Sequence, residues 1–230
     1  MKTRLLPLVV STLLFASYAT AQGDWTYLFK DVDHNEFYFD FIEEADPEEV
    51  FEIKADGTLL IKGAGQPEGY LQTLDEYEDY EIKFEFRWPD EPGKSGIQIH
   101  STSDTAHSIW PESIEIQLEP EHTGDFWLLN NSIDVEEEQM PDKAAERNRR
   151  IRLTPKPEPR EYGKPKKKLE NEPDEWNALH IVAKGDTIQV YLNDKLVNEG
   201  KNASATSGFI TFQAEEANIE IRNFRLRELD

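Results

Sequence analysis

The stretch Ser113-Ile114-Glu115-Ile116-Gln117-Leu118-Glu119 alternates strictly between apolar and polar side chains. A β-strand advances roughly 3.4 Å per residue and turns successive side chains to opposite faces. Ile114, Ile116 and Leu118 therefore belong to a core, and Glu115, Gln117 and Glu119 to the other face. Just upstream, Gly96-Ile97-Gln98-Ile99-His100-Ser101 repeats the pattern, with Gln98 and His100 opposite Ile97 and Ile99. Two neighbouring strands carrying carboxylate, amide and imidazole on the side away from the core predict a polar cleft on a sheet.

The same periodicity extends outward in both directions. In Tyr80–Trp88, Ile82, Phe84, Phe86 and Trp88 alternate with Glu81, Lys83, Glu85 and Arg87. Val50–Ile53 and Thr58–Ile61 flank Asp56-Gly57, a hairpin turn pair. Gly124–Asn130 is a further strand candidate. Trp176–Lys184, Thr187–Leu192 and Lys195–Asn198 are separated by Lys184-Gly185-Asp186 and Asn193-Asp194, again turn residues. Phe209–Ala214 and Asn218–Leu226 follow. Many short strands with close turns and almost no helical periodicity predict an all-β antiparallel double-sheet jelly roll, a β-sandwich.

The 230-residue chain is long enough for one domain with a real core. Lys2 and Arg4, the apolar run Leu5–Ala16 and Ala19-Thr20-Ala21 before Gln22 have the form of a secretory signal over residues 1–21. The expected mature domain is 22–230, exported to the periplasm or exterior, with no later run long enough to cross a bilayer. With no cysteine, it carries no disulfide framework. The formal charge is −22, and becomes −24 once Lys2 and Arg4 leave with the signal. So acidic a body repels nucleic acid and anionic membrane surfaces and is compatible with a neutral partner such as a sugar. The sequence sets no oligomeric state.

Asp31-Val-Asp33-His-Asn35 resembles the start of a calcium loop, but Glu36 replaces the required glycine and Ile42 the final glutamate. A different break lies at about 141–172. There Lys143–Lys168 holds eleven of the 25 basic residues against three acids, with prolines at 155, 157, 159 and 165. Such a segment cannot form a core of its own and is expected to be a loop insertion, with a short helix around Asp142–Arg150, lying on the acidic body or over the cleft.

Four ordered blocks carry a more specific resemblance. They are Gly69-Tyr-Leu-Gln-Thr73 followed by Tyr80–Arg87; Lys94-Ser-Gly-Ile97; Ile114-Glu-Ile-Gln117 with Thr123-Gly124; and Glu175-Trp-Asn177 with the Leu192-Asn193 turn, closed by Phe212-Gln-Ala-Glu215 and Ile219–Phe224. Together, from about Trp25 to Leu229, they resemble the 3-keto-disaccharide hydrolase family of 3-keto-glucoside lyases and hydratases. The resemblance implies a concanavalin-like jelly roll acting on glycosides oxidised to a ketone at C3. Lys94 and His100 stand where that family often carries Asn and Arg.

A C3 ketone acidifies the C2 proton, so the chemistry needs a base, donors for the enolate oxygen and an acid for the leaving oxygen. Glu115 and His100 are the candidate catalytic pair. Arg87, Gln98, Gln117, Gln213 and Glu215 are candidate substrate ligands, and Trp110 and Trp127 are candidate stacking platforms for a sugar ring. Each has a plain structural alternative. Outward Glu and Gln can be a solvated sheet face, His100 a hydrogen-bonded strand end, and Arg87 a partner of Glu85 or Glu115. No cofactor is expected; a divalent metal on His100, Glu115 and Glu119 or His122 has only unspecific spacing behind it. Two rival functions share the fold. One is a non-catalytic carbohydrate-binding domain. The other is a laminarinase-type retaining glycosidase, whose Glu-x-Asp-x-Glu strand resembles Glu115–Glu119 and whose carboxylates stand about 5–5.5 Å apart.

Overall fold

The computed structural model describes residues 23–135, 140–141, 150–154 and 169–230. The leader-like segment and the helix expected around Asp142–Arg150 lie outside these residues, apart from the final arginine.

Two antiparallel sheets stack face to face. The outer sheet runs Asp134–Val135, Lys195–Lys201, Thr187–Leu192, Asn177–Lys184, Tyr80–Arg87, Asn218–Glu228, Leu59–Lys62, Phe51–Ile53. Thr26–Tyr27 also pairs with Asn218–Glu228, through Thr26 opposite Leu226 and Tyr27 opposite Arg225. The inner sheet runs Met140–Pro141, Arg150–Thr154, Phe126–Leu129, Ser113–Leu118, Ser95–Ser101, Ser207–Ala214, Gly69–Thr73, Phe37–Phe41. The chain also crosses between the sheets, as from Leu59–Lys62 to Gly69–Thr73 and from Ser207–Ala214 to Asn218–Glu228, as a jelly roll requires.

Alternation explains which side of each strand is apolar. Ile97, Ile99, Ile114, Ile116, Phe126, Leu128, Phe212 and Leu71 from the inner sheet meet Ile82, Phe84, Phe86, Leu179, Ile181, Val190, Ile219 and Phe224 from the outer. Phe212 and Phe224 cross this boundary edge to face at 5.0 Å. Burying each such side chain contributes about 1.5–3 kcal/mol, so the paired apolar faces dominate the stability of a domain without disulfides.

The turns follow their residues. Asn193 and Asp194 both adopt positive φ, 48° and 64°, the backbone twist a two-residue hairpin needs. Gly57 does the same at 83° between Phe51–Ile53 and Leu59–Lys62. Val50 belongs not to that strand, as expected, but to a single helical turn, Pro47–Val50. Pro47 opens this turn, and Asp46 caps it by accepting a hydrogen bond from the Glu48 amide.

Candidate functional site

The face of the inner sheet turned away from the core carries the polar residues in rows. Strand pairing sets Trp127 beside Glu115, Glu115 beside Gln98, Gln98 beside Thr211, Thr211 beside Gln72 and Gln72 beside Tyr38. One step along the strands, Gln117 lies beside Gly96, and Gln213 beside Tyr70, which pairs in turn with Asp40. Glu115 is 1% exposed, Gln98 0% and Gln213 1%, so this face is no solvated exterior. The hairpin Thr105–His107 and Trp110–Pro111 folds over it. Trp110 packs with Tyr70 and Leu129, and with partly buried Ala106, Ile109 and Trp127.

Hydrogen bonds fix the carboxylate in place. Gln213 Nε2 donates to Glu115 Oε2 at 3.1 Å, and Gln117 Nε2 to the Ser95 carbonyl at 3.0 Å. The first arrangement depends on Gly96. A Cβ there would collide with Gln213 Oε1 and stand 3.1 Å from Glu115 Oε1, so the missing side chain makes the hollow in which the two meet. Farther along the row, Gln72 Nε2 donates to Thr211 Oγ1 at 3.1 Å, which donates to Ser101 Oγ at 3.0 Å. Neither amide atom of Gln98, nor Gln213 Oε1, has a hydrogen-bond partner among the described residues. The Tyr70 phenol is held protonated, chiefly by burial and then by the Asp40 carboxylate beside it.

Three expected residues lie elsewhere. Alternation fails at His100, whose φ of 52° puts it in the left-handed region at a bulge opposite Phe209 and Thr211. Its ring turns into the sandwich, with Nδ1 on the Ala205 carbonyl at 2.8 Å and the Tyr80 ring edge-on at 5.7 Å. Burial lowers its pKa to about 4. Ser101 takes the place on the polar face that strict alternation gives to His100. Arg87 belongs to the outer sheet, where it pairs with Glu220 at 2.7 Å and lies over the Trp176 ring at 4.6 Å. Glu215 follows the end of Ser207–Ala214, half-buried, near Lys94. The Lys94 pKa is raised, first by the Glu216 carboxylate at 3.0 Å and less by Glu215 and Glu119.

Glu115, Gln98, Gln117, Gln213, Trp110 and Trp127 thus come together, while Arg87, His100 and Glu215 do not. The conceivable metal set on His100, Glu115 and Glu119 or His122 fails with His100: among the described residues no group of three or more His, Cys, Asp or Glu is placed to hold a metal ion. Tyr70, Gln72 and Thr211 were not expected here. Their signal was the Tyr70-x-Gln72 and Thr211-x-Gln213 alternation around Leu71 and Phe212.

The model of the 3-keto-alpha-glucoside-1,2-lyase-like domain matches residues 24–227. The chain belongs to that family. Membership places this 3-keto-alpha-glucoside-1,2-lyase-like domain among carbohydrate-active proteins. No functionally curated protein matches it. Among solved structures, it is similar to a proposed glycosyl hydrolase from Parabacteroides distasonis at 24% identity, over 90% of this chain and 100% of that one, with a TM-score of 0.55. It is similar to the carbohydrate-binding module CBM66 from Bacillus subtilis at 12% identity, over 86% and 98% of the two chains, with a TM-score of 0.54. LamAcat from Zobellia galactanivorans follows at 12% identity, 90% and 97% coverage and a TM-score of 0.53. At these identities the three structures establish the jelly roll and nothing finer.

Proposed function

We propose that this domain, exported behind its leader-like N-terminal segment, cleaves glycosides already oxidised to a ketone at C3. The observation that carries the reading is Glu115, a carboxylate buried on a sheet face and accepting a hydrogen bond from the Gln213 amide. In this reading Glu115 takes the C2 proton, and the electron pair of the broken C–H bond moves into the enolate of the C3 ketone. The amide donors of the face stabilise the oxygen that gains charge. The enolate then expels the C1 substituent: the C1–O bond breaks, C1 and C2 become doubly bonded, and the leaving oxygen takes its proton from the Tyr70 phenol. Water adds to C1, returning a proton to Tyr70 as Glu115 protonates C2, and the net result is hydrolysis. Tyr70 fills the acid role that His100 was expected to share.

Incubating the protein with a 3-keto-disaccharide and following products by mass tests this. The expected result is release of the C1 substituent, with Glu115→Gln slowed at least about 100-fold, the usual scale for loss of a general base. Its thermal unfolding should stay within a few degrees of the parent. Full activity in Glu115→Gln overturns the assignment of the base. Binding without turnover selects the non-catalytic carbohydrate-binding function, and cleavage of an unoxidised β-glucan selects the glycosidase.

A further inference from the structure

Gln98 sits at the centre of the polar face, 0% exposed, and neither its Oε1 nor its Nε2 has a partner among the described residues. Its neighbours are committed elsewhere. The Thr211 hydroxyl already accepts from Gln72 and donates to Ser101. Glu115 accepts from Gln213. A carboxylate only accepts, so Gln213 must turn its Nε2 to Glu115, which leaves Oε1 as a third buried amide atom without a partner. A buried amide left unsatisfied destabilises a fold, and an apolar side chain of the same shape does not. The sequence keeps Gln98 on this face where leucine or methionine would fold better.

We propose that Gln98 and Gln213 form a hydroxyl-reading subsite that makes the site selective for uncharged sugar rings with their hydroxyls intact; this rests on the Glu115 face being the glycoside site. The unpartnered set comprises two carbonyl oxygens that need donors and one NH2 group that needs an acceptor. A sugar hydroxyl supplies both at once. An anionic group supplies acceptors only and faces the Glu115 carboxylate as well. A deoxy sugar leaves the amides unpaired in the complex, which is how a polar site rejects an analogue lacking one hydroxyl.

The test compares wild type with Gln98→Met on a 3-keto-disaccharide, on its 2-, 4- and 6-deoxy counterparts and on its 6-carboxylate, alongside thermal unfolding and calorimetric titration of the same sugars. With wild type, at least one deoxy sugar and the carboxylate should lose about tenfold or more in kcat/KM. Gln98→Met should lose a similar factor on the parent sugar, no longer separate parent from deoxy, and melt about 2–4 °C higher, the scale for removing one unsatisfied buried group from a domain of this size. Turnover within twofold of wild type and an unchanged deoxy profile overturn the proposal and leave the cleavage reading standing. A lowered melting temperature makes Gln98 a packing residue and also overturns it. If wild type turns over no 3-keto sugar yet binds hydroxylated sugars through Gln98, the subsite stands and the cleavage reading falls. Failure of both turnover and binding removes both.

Discussion

At the scale of single residues, the site is made as much by an absent side chain as by those present. Gly96 lies where Gln213 crosses towards Glu115, and any Cβ there meets the Gln213 amide oxygen and the Glu115 side chain. Gly96→Ala should therefore push the amide off the carboxylate. We expect at least a tenfold fall in kcat/KM on a 3-keto-disaccharide, with an overpacking cost of about 1–3 kcal/mol in urea unfolding. An Ala variant with wild-type turnover would mean that the contact between Gln213 and Glu115 is dispensable.

At the scale of elements, alternation made most of the fold legible. Ile114, Ile116, Ile97 and Ile99 fix the buried side of two strands, and everything between them falls on the polar side. The rule broke at His100, because a bulge is invisible to a period of two. One left-handed residue moves the next side chain to the opposite face, and the residue that allows it lies far away in sequence. Gly208, across the strand pair, leaves room where a Cβ would stand 2.7 Å from the His100 carbonyl carbon. Arg87 was misplaced for a related reason: periodicity gives the face of a strand but not the sheet to which it belongs. The buried His100 carries a pH consequence. Its folded pKa, about 4, lies below the ordinary value of 6.5, so the unfolded chain takes up a proton first as pH falls. Its contribution is complete above about pH 6.5 and is lost progressively towards pH 4, at up to about 1.4 kcal/mol per pH unit. Urea unfolding at steps from pH 7 to 4.5 should show a shallower decline in His100→Phe than in wild type. Parallel curves would place the acid sensitivity elsewhere, for example at His180, whose pKa burial also lowers.

At the scale of the whole molecule, the two sheets divide their labour. The outer face is a lattice of charges and rings. Glu81 meets Arg227, His180 and Lys83, Glu85 meets Arg222, and Arg222 lies 3.9 Å over Trp176. These pairs are partly solvent-exposed, so each stabilises modestly. Arg87→Met should cost about 1 kcal/mol in urea unfolding and leave turnover of a 3-keto-disaccharide within twofold. A large loss of turnover would tie the outer sheet to the chemistry. This division also gives meaning to the seam between Thr26–Tyr27 and Arg225–Leu226, which joins the two ends of the described body in the sheet that does not carry Glu115. A circular permutant closed by a short linker between Leu229 and Asp24, and reopened at the exposed Gly185 turn, should fold and keep its activity. Tethered to a bead or scaffold through that same seam, the domain would leave the sheet that carries Glu115 untouched by the linkage.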